Sequence, residues 1–212
     1  MNRLIFLLSI WGQIAYAQQT KSSTSAYTIV NTLHIRFASE IQAIDIWTTD
    51  SLTFSGTLTN FTRKFKPDKL GQKPKSAPSK EFYSLISQLD SNTAQKVYQL
   101  FKEKAIFDLP PQNSIAGWRS GLDGVTYQIE YAYSNYYFSE IYWTPQIFVD
   151  TIEEAKRLSE LIQELEKLLN LQNSFENFID LLPKGYYTLE GIIKLEKKQA
   201  TKNKRHAKIG KK

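Results

Sequence analysis

Two stretches of alternating side chains, residues 125–133 and 136–143, are separated by a single Ser-Asn dipeptide. Alternation with a period of two is typical of half-buried β-strands, and a two-residue connection joins antiparallel neighbours. Because such a turn also fixes the register, Tyr131 is predicted to face Phe138. The sequence therefore predicts an antiparallel sheet that contains this hairpin.

One face of the predicted hairpin is almost wholly aromatic. It carries Tyr127, Tyr131 and Tyr142, with Glu140 near its centre. One interpretation is a stacking platform for a sugar or a peptide, because tyrosine combines apolar area with a hydroxyl group. The alternative is that these rings pack beneath the helix predicted to follow the hairpin and keep their hydroxyl groups at the rim. Both interpretations are open at the level of the sequence.

The remaining elements are predicted from the same kinds of periodicity. Further strands are predicted at residues 29–37, 41–47, 52–58 and 186–195. Helices, with apolar residues three and four positions apart, are predicted at residues 79–89, 91–105, 151–170 and 175–182. The expected start signals are Ser79, Ser91 with Asn92, and the capping-box pattern of Thr151 and Glu154. Strands and helices in this order favour one α+β domain over residues 18–195, an antiparallel sheet with helices packed on one face.

The N-terminus has the pattern of a secretory signal peptide. Arg3 precedes a short apolar run, and the segment ends on Ala15 and Ala17, the spacing of a cleavage site. The apolar run is about half the ~20 residues that a transmembrane helix needs, so a retained anchor is the weaker interpretation. We expect residues 1–17 to be removed and the mature chain to be periplasmic or secreted, with no transmembrane segment.

The charge of the chain is concentrated at its C-terminus. The whole sequence has a formal net charge of +6, but residues 194–212 alone contain nine Lys/Arg and one acid. Residues 196–212 are predicted to be a basic disordered tail because they combine high charge with little apolar content. Such a tail could bind an anionic envelope surface, with a solvated terminus lacking any partner as the alternative. A second basic stretch, residues 63–80, contains proline and glycine and is predicted to be a surface loop.

The composition excludes most catalytic chemistry. The chain has no cysteine and only two histidines, His34 and His206, and it contains none of the common hydrolase, metalloprotease or nucleotide-binding motifs. We therefore predict no catalytic residue, no metal and no cofactor. Glu130 and Glu140 could suggest a glycosidase pair, but the predicted register places them on opposite faces of the sheet. Nucleic acid is not expected as a partner of an exported chain.

A motif in the middle of the chain connects it to other proteins. Gly117-Trp118, Asp123-Gly124 and the run from Tyr142 to Pro145 frame the hairpin. This arrangement resembles a segment of uncharacterised exported proteins of Gram-negative bacteria, and the resemblance covers about residues 96–169. It implies an α+β fold and export, and it implies no active site.

These observations favour an exported, non-catalytic binding or accessory protein that uses the aromatic hairpin as its surface. Its ligand is predicted to be a protein or a glycan. The alternatives are a periplasmic hydrolase with a carboxylate acid, Asp123 or Glu140, and a purely structural envelope protein. The candidate ligand-binding residues are Trp118, Arg119, Asp123, Tyr127, Tyr131, Glu140, Tyr142 and Trp143.

Overall fold

The computed structural model describes residues 32–65, 82–189 and 194–197. The predicted signal peptide, most of the basic loop and the tail beyond Lys197 lie outside these residues. The described chain forms eight strands: β1 (Leu33–Ala38), β2 (Gln42–Thr48), β3 (Ser55–Phe65), β4 (Phe82–Leu89), β5 (Thr126–Tyr133), β6 (Tyr136–Trp143), β7 (Gly185–Thr188) and β8 (Lys194–Lys197). It forms three α-helices: α1 (Ser91–Glu103), α2 (Glu153–Leu169) and α3 (Leu171–Leu181).

All of these strand pairings are antiparallel. The strands follow the order β6-β5-β1-β2-β3-β7-β8, and β4 also pairs with β3. The length of β3 explains this branching, because Gly56–Arg63 pair with β4 whereas Lys64 and Phe65 pair with β7. At the other end of this order, β5 lies beside β1, and β6 forms one edge of the sheet.

The helices cover one face of this sheet and enclose the main core. Ile35 and Ile46, which are paired across β1 and β2, face Val97 and Phe101 of α1 in one buried cluster. Leu158, Leu161 and Leu165 of α2 join the same cluster, and the three side chains follow the three-and-four spacing of an amphipathic helix. A smaller cluster surrounds Phe178 of α3 and Tyr187 of β7. The predicted α+β class, with an antiparallel sheet and helices on one face, is confirmed.

The predicted helix at residues 79–89 is wrong. Residues 82–89 form strand β4, which pairs along its whole length with β3. The apolar residues fit a helical stripe equally well, but Phe82, Leu85 and Ile86 are exposed on this edge strand. The backbone hydrogen bonds available along the extra-long β3 decide between the two structures, and the local sequence does not contain this information.

Three smaller expectations also differ from the structure. The predicted strand at residues 186–195 is a hairpin of two short strands, and β8 takes in Glu196 and Lys197. Helix α1 is capped by Asp90, whose carboxylate accepts hydrogen bonds from the Thr93 amide at 2.9 Å and the Thr93 hydroxyl at 2.7 Å. Helix α2 has Ile152 at its N-cap, without a side-chain hydrogen bond. The predicted capping box at Thr151 is therefore absent.

The hairpin itself is confirmed. Tyr131 pairs with Phe138, and Tyr127 pairs with Tyr142, in the predicted register. Ser134, the first turn residue, adopts a φ of 51°, as two-residue hairpin turns require at that position.

Candidate functional site

The aromatic face of the hairpin is part of the core. Tyr127, Tyr131 and Tyr142 are buried on the side of the sheet that the helices cover. The Tyr131 hydroxyl donates a hydrogen bond to the Phe107 carbonyl at 2.9 Å, and the Tyr142 hydroxyl donates to the Pro110 carbonyl at 3.0 Å. Burial raises the pKa of both tyrosines above the ordinary value. These residues were predicted to form a ligand platform. Their burial instead favours the alternative that the rings pack in the core, although the hydroxyl groups of Tyr131 and Tyr142 bond to carbonyl groups and do not lie at a rim.

Trp118 and Trp143 hold the loop that precedes the hairpin. Trp118 is buried, and its indole nitrogen donates to the Trp143 carbonyl at 2.8 Å. The amide of Trp143 donates to the side chain of Gln112. A Cβ atom at Gly121 would lie 2.6 Å from the Trp143 ring, so the ring rests directly against this glycine. The two tryptophans of the motif are therefore explained by packing.

Gly124 serves the same packing. Its φ is 156°, and a Cβ atom there would lie 2.1 Å from the Thr144 hydroxyl oxygen. That hydroxyl accepts a hydrogen bond from the Val125 amide at 3.1 Å. This close approach brings the loop into contact with the end of β6.

The remaining candidate residues are not brought together. Arg119 and Asp123 are exposed in the loop before β5, whereas Glu140 is half-buried on the helix-facing side of β6. Glu130 and Glu140 lie on opposite faces of the sheet, as the register predicted. The structure therefore does not assemble the suggested carboxylate pair.

The opposite face of the sheet carries a different constellation. We call it the open face, because none of the helices in the described part of the chain packs on it. The pairing register arranges its side chains in rows that cross four strands. The central row, in the order of strands β2, β1, β5 and β6, consists of Asp45, Arg36, Glu130 and Ser139. The neighbouring aromatic row, in the same order, consists of Trp47, His34, Ala132 and Tyr137.

Arg36, the positively charged residue of the central row, is held in place by its neighbour Asp45. One terminal nitrogen of Arg36 donates to both carboxylate oxygens of Asp45 at 2.9 Å. The Nε2 atom of His34 lies 3.3 Å from an oxygen of the same carboxylate. Since Arg36 and Asp45 are both half-buried, this cluster is fixed at the centre of the sheet instead of extending freely into solvent.

The second carboxylate of the row is also fixed. Glu130 accepts hydrogen bonds from the side-chain amide of Gln128 at 2.6 Å and the Ser139 hydroxyl at 3.3 Å. It lies directly across from Arg36 in the register of β5 and β1. The central row thus alternates acid, base, acid and hydroxyl over four adjacent strands.

This arrangement offers both hydrogen-bond acceptors and donors to a ligand. The carboxylates accept, the guanidinium group donates and the hydroxyl does both. Trp47 and Tyr137 provide ring surface at the two ends of the adjacent row, about 14 Å apart at ~4.8 Å per strand. This constellation was not predicted from the sequence, although the alternation of β1 places His34 and Arg36 on one side of the strand. The missing information was the strand order that puts Asp45 and Glu130 on either side of them.

Other features of the described residues are less specific. An open cleft of about 340 Å³ lies between the loop at Ala116 and the start of α2, where Glu153 and Glu154 line it. In the described ranges, no group of three or more histidine or acidic side chains is placed to hold a metal ion. None of the described helices is both long enough and apolar enough to span a membrane.

Comparison with known proteins provides no assignment. Neither a protein-family model nor a curated protein matches the chain. The resemblance to exported Gram-negative proteins remains a prediction.

Proposed function

We propose that this chain is an exported, non-catalytic binding protein that holds a glycan on its open face. The observation that carries the proposal is the central row, in which Asp45, Arg36, Glu130 and Ser139 alternate beside an aromatic row. Export rests on the predicted signal peptide. The proposed binding surface is thus the polar face of the hairpin, whereas the aromatic face was the surface predicted from the sequence.

The chemistry of the central row favours a ligand rich in hydroxyl groups. A sugar hydroxyl both donates and accepts, so adjacent hydroxyls can bond to Glu130 and Arg36 at once. The two acids of the row outnumber its one arginine, so an anionic ligand would be repelled. A simple cation would find Asp45 already bonded to Arg36.

The aromatic row supplies the second element of glycan recognition. Aromatic rings combine apolar surface with a polar handle, which suits the mixed faces of a sugar ring. Tyr137 is exposed and Trp47 is half-buried. Between them lie His34 and the small Ala132.

Binding of defined neutral oligosaccharides, by array and then by calorimetry, tests this proposal. Glu130→Gln keeps the size of the side chain and removes its charge, and Tyr137→Ala removes one ring. We expect each variant to weaken binding about tenfold, which corresponds to ~1.4 kcal/mol. Mass spectrometry of the recovered oligosaccharide should show it intact; cleavage would favour the hydrolase alternative.

The matched control is Tyr136→Ala. Tyr136 is 57% exposed and Tyr137 is 64% exposed, but adjacent residues of a strand point to opposite faces. Tyr136→Ala should leave affinity unchanged. Equal losses for the two tyrosines, or binding of no oligosaccharide by the wild-type chain, would overturn the proposal in favour of a purely structural protein.

A further inference from the structure

Strand β6 leaves part of its backbone directed away from the sheet. It pairs with β5 on one side and lies at the end of the strand order. After a two-residue turn, Tyr136, Phe138, Glu140 and Tyr142 bond to β5, because these positions form the hydrogen-bonded pairs of an antiparallel ladder. The amide and carbonyl groups of Ser139 and Ile141 therefore point outward, as do those of Trp143.

This outward edge is bounded at both ends. At Trp143 the outward amide bonds to Gln112 and the outward carbonyl accepts from Trp118. At the other end the strand stops at the turn residue Asn135. The stretch between these limits is centred on Ser139.

Among the described strands none lies on the outer side of β6, and the side chains of this edge are unusual for such a position. Tyr137 and Ile141 are 64% and 52% exposed on the open face. The strand contains no proline and no lysine, the residues that commonly prevent edge-to-edge pairing. Its one charge, Glu140, lies on the helix-facing side.

We propose that β6 pairs with β6 of a second copy of this chain, antiparallel and about a two-fold axis at Ser139. In this register Ser139 lies opposite Ser139 of the second copy, and Ile141 lies opposite Tyr137. On the open face, Ile141 of each copy then packs beside Tyr137 of the other. A two-fold axis is the commonest symmetry of soluble oligomers, and it requires such a self-complementary surface.

The charges select this register over its neighbours. With the axis at Ser139, Glu140 lies opposite Phe138. An axis at Glu140 would place two carboxylates directly opposite each other, which destabilises a strand pair. It would also place Tyr137 opposite Trp143 of the second copy, whose outward amide and carbonyl groups are already hydrogen-bonded. An axis at Phe138 would leave Ile141 opposite the turn, without a strand partner.

Sedimentation velocity of the mature chain over a range of concentrations tests the assembly. An interface built on one pair of strands lies at the small end of known interfaces, so we expect a concentration-dependent dimer. Ile141→Lys should make the chain monomeric, because the two added charges would be buried beside Tyr137 of the other copy. The matched control is Ile86→Lys on edge strand β4, since Ile86 has the same exposed fraction of 52%.

A cross-linking experiment tests the register. The chain has no cysteine, so Ser139→Cys introduces a single thiol, and the proposed axis brings two such thiols together. A short bis-maleimide should convert this variant to a covalent dimer and should leave the Ser84→Cys variant, on β4, monomeric. A wild-type chain that stays monomeric at all concentrations, or a dimer that Ile141→Lys leaves intact, would overturn the proposal. Because neither readout involves a glycan, failure here is distinguishable from failure of the proposed function.

Discussion

At the scale of single residues, the hydrogen bond between Trp118 and Trp143 joins the loop before the hairpin to the hairpin's last strand. The Trp118 ring also lies against Tyr142, with ring centres 5.5 Å apart, and against Phe148 at 6.0 Å. One side chain thus satisfies an outward carbonyl of β6 and fills the space between loop and sheet. The sequence motif indicates that Trp118 is distinctive, and its burial and hydrogen bond show that it contributes to packing.

The substitution Trp118→Phe should lower the free energy of unfolding by roughly 1–3 kcal/mol, because the Trp143 carbonyl loses its partner in a half-buried position. Urea unfolding followed by circular dichroism measures the change. Trp47→Phe on the open face is the control, and we expect it to have a much smaller effect. Equal losses for the two variants would contradict a specific role for the Trp118 hydrogen bond.

Asp50 provides a prediction about pH. Its carboxylate accepts hydrogen bonds from the amides of Thr53 and Leu52 at 2.7 and 2.9 Å, which lowers its pKa to about 2. A pKa lowered by folding stabilises the folded state above the pKa of the unfolded chain, ~3.9, and this contribution is lost as the pH falls toward 2. Asp50→Asn should therefore melt at a lower temperature than the wild type at pH 7. Near pH 2 the two melting temperatures should converge, and a constant difference across this range would contradict the assignment.

At the scale of elements, the sequence predicted those structures that local chemistry specifies. The β5–β6 hairpin was predicted with its register because a two-residue turn leaves one pairing. The central helices were predicted because their apolar stripes are long. Strand β4 was not, because its pattern fits both a helix and a strand, and the choice depends on its pairing with β3, which lies on the other side of the basic loop. The open face was missed for the same reason, since Arg36 meets Asp45 and Glu130 only through strand order.

The N-terminal cap of α1 leads to a prediction at the scale of elements. Asp90, and not Ser91, caps the helix, and the amide of Thr93 lowers the pKa of its carboxyl group. Asp90→Ala should destabilise the protein measurably, whereas Ser91→Ala should be nearly neutral, because Ser91 already lies inside the first turn. Thermal melting of the two variants measures both effects. A larger fall in melting temperature for Ser91→Ala would contradict the Asp90 cap and favour the cap predicted from the sequence.

At the scale of the whole molecule, the charge is divided unevenly. Residues 32–65 and 82–189 contain 11 Lys/Arg and 17 Asp/Glu, a net charge of −6, although the complete chain is at +6. The positive charge therefore belongs mainly to residues outside these two ranges. Attraction to anionic surfaces is expected from the C-terminal residues and not from the sheet and helices.

Truncation after Lys197 tests this division while retaining β8. The shortened chain should keep its melting temperature and lose its co-sedimentation with anionic vesicles. For the full chain, co-sedimentation should weaken as salt rises from 0.1 M to 1 M and the Debye length falls from about 10 Å to about 3 Å. Equal sedimentation of both chains would contradict a role for these residues in membrane attraction. A large fall in melting temperature would show that they contribute to the fold.

The hydrogen bonds that Gln112 and Trp118 make to Trp143 also limit how many molecules can assemble through the edge of β6. Stacked fibrils need long, flat strands whose every backbone group is available to the next molecule. Here the exposed stretch is only a few residues long, since the turn ends it on one side and the occupied groups of Trp143 end it on the other. Pairing about a two-fold axis uses this stretch completely, so addition at this edge stops at two molecules. The same tryptophan that secures the loop before the hairpin therefore also shortens the part of the β6 edge with which another molecule can pair.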